Sequence, residues 1–429
     1  MPRLGRRALL PLAVASCIPV VFAPQVYAQQ AYTWEQIREK FRSANPTLQA
    51  AQLNVSESRA GEITAYLRPN PDFSLTVDGL QLTPGVNGIW RPLSGLVQTP
   101  GISYLHERDH KRELRRDSAR KATDIAESTL ADQERTLLFN LRGAFVQTLQ
   151  QKAVLDVAHE SLSYYDRLLG VSRERFRAGD IAEVDLDRLE LQRAQFASDV
   201  INATTNLRTA KIQLLTLLND RTPVEQFDVT GPFDFSERMT PLEEVRAAAL
   251  ANRPDLKAAI EAVDKARTDH QLAVANGSTD PTFSAWYSHN SSFANPFANE
   301  TVGGSVSIPL RIFDRNQGEK ARTQIDIARN ERLREAAEAQ VFSDVDSAYT
   351  NLGANVELLR LYKTDYLQRA VKVRETVSFA YQRGGLALVD FLQAQQDYRM
   401  IQLNYVTLIG AYLTAASQMN LAVGREVLP

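Results

Sequence analysis

The sequence predicts an α+β membrane protein made of two copies of one unit: helix, helix, strand, strand, very long helix, long helix. Three observations carry this. A glycine turn between helical stretches occurs twice, as Phe176-Arg177-Ala178-Gly179-Asp180-Ile181-Ala182-Glu183-Val184-Asp185 and as Tyr381-Gln382-Arg383-Gly384-Gly385-Leu386-Ala387-Leu388-Val389-Asp390, with Gly384 and Asp390 each 205 residues after their counterparts. Apolar residues around both turns recur every seven positions over lengths that no ordinary globular core needs. Between the short and long helices the period drops to two, as in strands.

The N-terminus is an export signal, expected to span 1–28. Arg3, Arg6 and Arg7 precede an apolar run over 8–22, and Val26-Tyr27-Ala28 ends on a small residue. Cleavage there removes Cys17, the single cysteine, so no internal disulfide is possible. The rival reading is Val14-Ala15-Ser16-Cys17 as a lipobox with Cys17 lipidated; the apolar run continuing past Cys17 favours cleavage after Ala28. With 49 Lys+Arg against 51 Asp+Glu the chain is nearly neutral, which argues against nucleic acid as a partner. No later run of about 18 apolar residues exists to form a membrane helix.

The first repeat is expected over 29–220. Thr33 caps a helix beginning Trp34-Glu35-Gln36-Ile37-Arg38, and Asn45-Pro46 starts a second that ends before Pro69-Asn70-Pro71. Phe73, Leu75 and Val77 alternate with polar residues, which predicts a strand over about 72–82; a second, interrupted by Pro92 and Gly95, is placed at about 88–98. From Arg108 to Phe176 little breaks a helix, a rod of roughly 100 Å at the α-helical rise. Past the tip near 179, Leu189, Phe196, Ala203, Ala210 and Leu217 form one seam, and Leu186, Val200, Leu207 and Leu214 its companion. Residues 221–240, with Pro223, Gly231 and Pro232, read as a linker.

The plan restarts in a second repeat over 241–429. Leu242-Glu243-Glu244-Val245-Arg246 answers Trp34 to Arg38 at an offset of 208, and Pro254-Asp255-Leu256 answers Pro46-Thr47-Leu48. Strands are expected over 282–290 and 301–309, then a long helix from Asp314 to the tip near 384. The seam beyond it runs Phe391, Tyr398, Tyr405, Tyr412, Met419, beside Ala394, Ile401, Leu408, Ala415 and Ala422. Its tyrosines are read as coiled-coil packing.

One chain thus supplies four strands, and a closed membrane barrel needs at least eight. Closure requires oligomerisation: two chains give eight strands, three give twelve. Export, membrane-length strands and long rods together indicate a barrel continued by a helical conduit.

The ordered set of motifs resembles the outer-membrane efflux protein family, the TolC-like outer membrane factors. It comprises Asn45-Pro46, Arg253-Pro254, Pro69-Asn70-Pro71, the glycine tips followed by Val184-Asp185 and Val389-Asp390, and the closing Met419-Asn420-Leu421-Ala422-Val423-Gly424. The resemblance implies a homotrimer with a twelve-stranded outer-membrane barrel and a periplasmic α-helical coiled-coil barrel. It implies a periplasmic adaptor protein docked on the tips, an inner-membrane RND or ABC pump behind it, and outer-membrane lipid around the strands. By that analogy Arg177, Gly179, Asp180, Arg383, Gly384, Gly385 and Leu386 are the adaptor contact. Asp390 falls where relatives place an acidic ring at the periplasmic aperture. Gln393 stands where a second acid is often found, so the ring is expected to be weaker here.

A bottom-up argument adds to that. Three symmetry copies of Asp390, or of Asp185, around an axis sum their fields in a narrow mouth. The plainer role for both is an acid favourable to a helix N-terminus.

Enzymatic chemistry is not expected and no cofactor is implied. His106-Glu107-Arg108-Asp109-His110 matches a zinc-protease helix in letters only, since a charged run follows and no third ligand motif is found. The run over 111–120 reads as a solvated helix face. The function that the family resemblance implies is gated passive conduction as the exit duct of a tripartite efflux system for small molecules or metal ions. The alternatives are the outer-membrane component of a type I protein secretion system and a periplasmic coiled-coil scaffold without a pore.

Overall fold

The structure, a computed structural model, describes residues 30–85, 87–290 and 299–428. The signal segment expected over 1–28 and Cys17 lie outside these residues. The first repeat runs β1 (Gln30–Tyr32), α1 (Trp34–Ala44), α2 (Pro46–Ala65), β2 (Asp72–Asp78), β3 (Val97–Leu105), α3 (Lys111–Arg177) and α4 (Glu183–Leu217). After β4 (Phe227–Val229) come α5 (Leu242–Asn252), α6 (Pro254–Ala275), β5 (Thr282–Asn290), β6 (Glu300–Ser307), α7 (Gln317–Leu361), α8 (Leu367–Gln382) and α9 (Leu388–Val423).

Four strands form one antiparallel sheet in the order β2-β3-β5-β6, so β2 and β6 are open edges. The register sorts side chains by chemistry. Phe73, Ile102, Ala285 and Gly304 lie in one cross-strand row, Leu75, Pro100, Tyr287 and Val302 in the next, and Tyr104, Phe283 and Val306 in another. These rows share one face, because directly opposed residues do. The other face carries Ser74, Thr76, Ser103, Ser284, Ser288, Thr301 and Ser305, with Trp286 among them. A sheet apolar on one side and Ser/Thr-rich on the other fits lipid outside and water inside. Phe73 is 75% and Val302 83% exposed, so none of the described residues covers the apolar side there. Gly303 is needed beside Trp286, since a Cβ there would overlap the indole ring.

The 67 residues of α3 make a rod of about 100 Å. Its counterpart is continuous from Gln317 to Gln382, because Tyr362–Tyr366 is a single π-helical turn joining α7 to α8. A π turn holds one more residue than an α turn and marks an inserted position. The return helices α4 and α9 pack along the rods, and α3 also packs on α9, which joins the two repeats. Leu189, Phe196, Ala203 and Ala210 are buried as the heptads predict, while of the companion seam only Leu214 is fully buried. Phe391, Tyr412 and Met419 are buried and Tyr398 and Tyr405 half-buried. Midway along the rods, α1 and α5 lie across them as straps. Ile37 and Phe41 pack with Leu141, Phe145 and Leu214; Val245 and Ala249 pack with Val341, Val345 and Ala416.

Several expectations are corrected. The second strand is not at 88–98 but at Val97–Leu105, and the first stops at Asp78 rather than 82. Residues 92–95 form turns with Ser94 N–H bonded to the Arg91 carbonyl, and the strand instead runs through Pro100-Gly101. The pairing of β3 with β5 lapses at Thr99 and Pro100, where proline has no N–H to give; the Thr99 and Ser288 hydroxyls, 3.2 Å apart, bridge the gap. The second rod begins at Gln317, not Asp314. Within the 221–240 linker, β4 pairs in parallel with β1, so the segment is partly ordered in a two-stranded sheet. The 111–120 run is not a solvated face. Lys111 is buried and bonded to Asp280 at 2.6 Å, Arg115 grips Glu107, and Arg112 and Arg116 cover the Tyr66 ring. Burial alone would raise the Asp280 carboxyl, but Lys111 and the Arg108 N–H hold it below its ordinary value. This cluster ties the sheet to the start of α3.

Candidate functional site

The two tips have the same backbone construction. α3 ends at Arg177, and Gly179 turns the chain at φ +82°, its N–H bonded to the Phe176 carbonyl. The next N–H, from Asp180, returns to the Arg175 carbonyl at 2.9 Å. α8 ends at Gln382, Gly384 has φ +74°, and Gly385 N–H returns to the Ala380 carbonyl at 2.9 Å. Both are helix stops of the glycine type, which a side chain at Gly179 or Gly384 would strain although nothing lies within 4 Å. Extended Ala182 and Ala387 then start α4 and α9 without a side-chain cap. Glu183 and Asp185 lie in the first turn of α4, and Asp390 in that of α9, where they complement the helix dipole.

Arg177, Asp180, Arg383, Gly385 and Leu386 are all exposed. Arg177 pairs with Glu174 at 2.6 Å, and the Arg383 guanidinium lies over the Phe379 ring at 4.4 Å. Asp390 is exposed and Asp185 half-buried, near the Tyr381 hydroxyl. Gln393 donates from Nε2 to Asp397 Oδ1 at 2.8 Å, so a carboxylate does follow Asp390, two turns on rather than one. The sequence reading passed over Asp397, although its spacing of seven from Asp390 was available.

Behind the tips the two hairpins share one core. Tyr165, Leu168, Leu189 and Phe196 from the first pack with Tyr381, Leu388 and Phe391 from the second. Tyr381 stacks on Phe391 at 4.8 Å, and Tyr165 meets Phe196 at 4.4 Å. Burial raises both tyrosine hydroxyls, Tyr165 furthest; neither has a hydrogen-bond partner among the described residues. A polar layer crosses the seam above this core. Buried Gln395 donates to the Tyr164 hydroxyl at 3.1 Å and to Ser378 Oγ at 3.2 Å, and Arg399 pairs with Asp199 at 2.6 Å. Arg374 covers the Tyr398 ring at 3.8 Å. The Gln395–Tyr164 and Arg399–Asp199 links were not legible in the sequence, because they join residues 231 and 200 positions apart.

The tips also expose apolar side chains unassigned in the sequence: Val184, Phe379 and Val389, each more than half exposed. The signal was the Val-Asp pair itself, a large apolar residue where a solvated helix start needs none.

The zinc-type motif does not form. His106 to His110 is a loop rather than a helix, Glu107 is taken by Arg115, and the described residues hold no cluster of three His, Cys, Asp or Glu that suits a metal.

Compared with known proteins, the sequence matches the family described as Outer membrane efflux protein over residues 37–220 and again over 245–425. The chain belongs to this outer membrane efflux family. Each matched segment falls on one structural repeat. The family is one of channels, not of enzymes, and its setting is the Gram-negative outer membrane with the helices extending into the periplasm. Among similar proteins is the cobalt-zinc-cadmium resistance protein CzcC of Cupriavidus metallidurans, 24% identical over 394 residues, covering 89% of this chain and 87% of CzcC. Another is the pyoverdine export outer membrane protein OpmQ of Pseudomonas putida, 24% identical over 91% of this chain and 85% of OpmQ. The solved structure of CusC superimposes with a TM-score of 0.77 at 17% identity, covering 96% of this chain and 99% of that one. This efflux-family fold is the duplicated α+β unit expected from the sequence.

Proposed function

We propose that three copies of the chain close one twelve-stranded barrel and one helical tunnel, and that this trimer is the exit duct of a tripartite efflux system. It conducts small molecules or metal ions passively and performs no covalent chemistry. The observation that carries the reading is the four-stranded sheet. Its two edges are open, one face is apolar and uncovered, the other is lined by Ser and Thr, and it is fused to rods of about 100 Å. The names of relatives such as CzcC and OpmQ support export rather than a scaffold role.

In this reading the tips dock a periplasmic adaptor through Arg177, Gly179, Asp180, Arg383, Gly384, Gly385 and Leu386, helped by exposed Val184, Phe379 and Val389. Asp390 lines the aperture, with Asp185 and Gln393 beside it. The Gln395 and Arg399 links hold the hairpins together in the closed state, and adaptor binding separates them. A pump of RND or ABC type in the inner membrane supplies the energy.

A deletion strain tests this. It should become more sensitive to cobalt, zinc and cadmium salts or to a panel of drugs, and the wild-type gene should restore growth. Unchanged sensitivity to every compound, together with normal secretion of proteins, would refute the duct.

A further inference from the structure

The two straps are related by sequence, yet their charges are handled differently. In the second repeat Arg246 of α5 is held in a two-point pair by Asp346 of α7, at 2.9 and 2.8 Å. Burial plays little part there; the pairing lowers the Asp346 carboxyl below its ordinary value. Arg246 answers Arg38 of α1 at the strap offset of 208. The rods are offset by 205 at the tips, and the extra residue of the π turn makes this 204 above it. At 204, buried Leu141 answers Val345 and buried Thr148 answers Leu352. The residue answering Asp346 is then Arg142. Where the second repeat sets an aspartate of the rod against its strap arginine, the first has a second arginine at that rod position.

Carboxylates offset part of this charge, with Arg135 paired to Asp132 at 2.5 Å and Arg42 to Glu134 at 2.7 Å, but they leave Arg142 itself unpaired. Arg38 pairs with Glu35 and, at 3.3 Å, with Glu426. Arg142 makes no hydrogen bond or ion pair among the described residues and lies over the Trp34 ring at 4.6 Å. Burial weakens its hold on the proton; the charges of Glu426 and Glu35 oppose this, and the smaller effect of Arg38 adds to it. Beside these residues is a cavity of about 350 Å³ between α1, α3, the end of α9 and the chain after it. Five arginines and two glutamates line it. Two buried donors nearby are unsatisfied: the Trp34 Nε1–H and the Arg135 Nε–H. An unmet buried donor is costly, and a free guanidinium fork matches the geometry of a carboxylate or phosphate.

We propose that this cavity is an anion site, taking the carboxylate or phosphate head of a small organic anion between Arg142, Trp34 and Arg135. The site lies mid-rod, far along α3 from the tips and from the sheet, and is independent of conduction. Bound anion would tie α1 to the chain beyond α9 and brace the junction of the two repeats.

Trp34 gives the readout. In the purified full-length protein carrying Trp90→Phe and Trp286→Phe, Trp34 is the remaining tryptophan. Its fluorescence is titrated with inorganic phosphate and, separately, with benzoate, against sodium chloride at equal ionic strength. The expected result is a saturable change with at least one of the two, not reproduced by chloride. The probe that saturates at lower concentration identifies the head group. Arg142→Asp copies the second repeat; it should keep or raise the melting temperature and weaken the response by about tenfold or more. Arg142→Lys, which keeps the charge without the fork, should retain a weaker response. A wild-type site that answers neither anion beyond the chloride control would overturn the proposal, as would an undiminished response in Arg142→Asp.

Discussion

Gln395 Nε2 donates to the Tyr164 hydroxyl at 3.1 Å, across the seam between the two helical hairpins. Gln395 is 5% exposed, so the bond is made in a largely dry setting, where a lost partner costs more than at a surface. Gln395→Leu leaves the Tyr164 and Ser378 hydroxyls without this donor while keeping the side-chain volume. It should loosen the tips selectively, raising amide hydrogen exchange on both sides of the seam by roughly tenfold, the effect of one or two lost bonds. Exchange in the straps should not change. An increase spread evenly over the rods would instead indicate global destabilisation.

The aperture assignment makes a separate prediction. Asp390→Asn removes three charges from the trimer's mouth, and reversal potentials in a salt gradient should show lower cation preference. Gln393→Asp should raise it by adding a charge one turn on. Asp185→Asn should do less, since Asp185 is half-buried, near the Tyr381 hydroxyl. If Asp390→Asn leaves selectivity unchanged, the residue serves its helix end alone.

The two faces of the sheet should differ in tolerance. Val302→Arg puts a charge on the apolar side and should cost about 2–4 kcal/mol per chain if that side meets mid-bilayer lipid. Ser305→Arg, on the opposite face of the same strand, should be tolerated. The check is the yield of folded trimer in outer-membrane fractions. Equal yields would contradict the assignment of lipid and lumen faces.

The division between what was legible and what was not follows sequence range. Gly179 and Gly384 announced the tips because left-handed turns need glycine, and Leu189, Phe196, Ala203 and Ala210 announced the seam because burial repeats every seven residues. Strand β3 was misplaced because Pro100-Gly101 has turn chemistry, and only its pairing with β2 and β5 holds it extended. β1 and β4 are three residues each and exist through each other, nearly two hundred positions apart. Lys111 read as solvated because its partner Asp280 belongs to the other repeat. The tip core and the Gln395 layer were hidden for the same reason.

Acid should act on that small parallel sheet. Burial alone would raise the Asp228 carboxyl, but Lys152 at 2.7 Å and Lys211 at 3.0 Å more than offset it and hold it below its ordinary value. A carboxyl depressed by folding stabilises fully above its unfolded value and loses that contribution as pH falls through the folded one. Asp228→Asn should therefore cost about 2 kcal/mol at neutral pH. The melting-temperature gap from wild type should close as pH falls below about 4. A gap independent of pH would show that the loss is one of packing.

The central claim is a gated duct, and single-channel recording in planar bilayers tests it most directly. Wild-type trimer should insert and show small, brief openings. The double variant Gln395→Leu/Asp199→Ala, which removes both the Tyr164 link and the Arg399 pair, should conduct severalfold more and stay open longer. A folded trimer that never conducts, with or without those substitutions, would contradict the account.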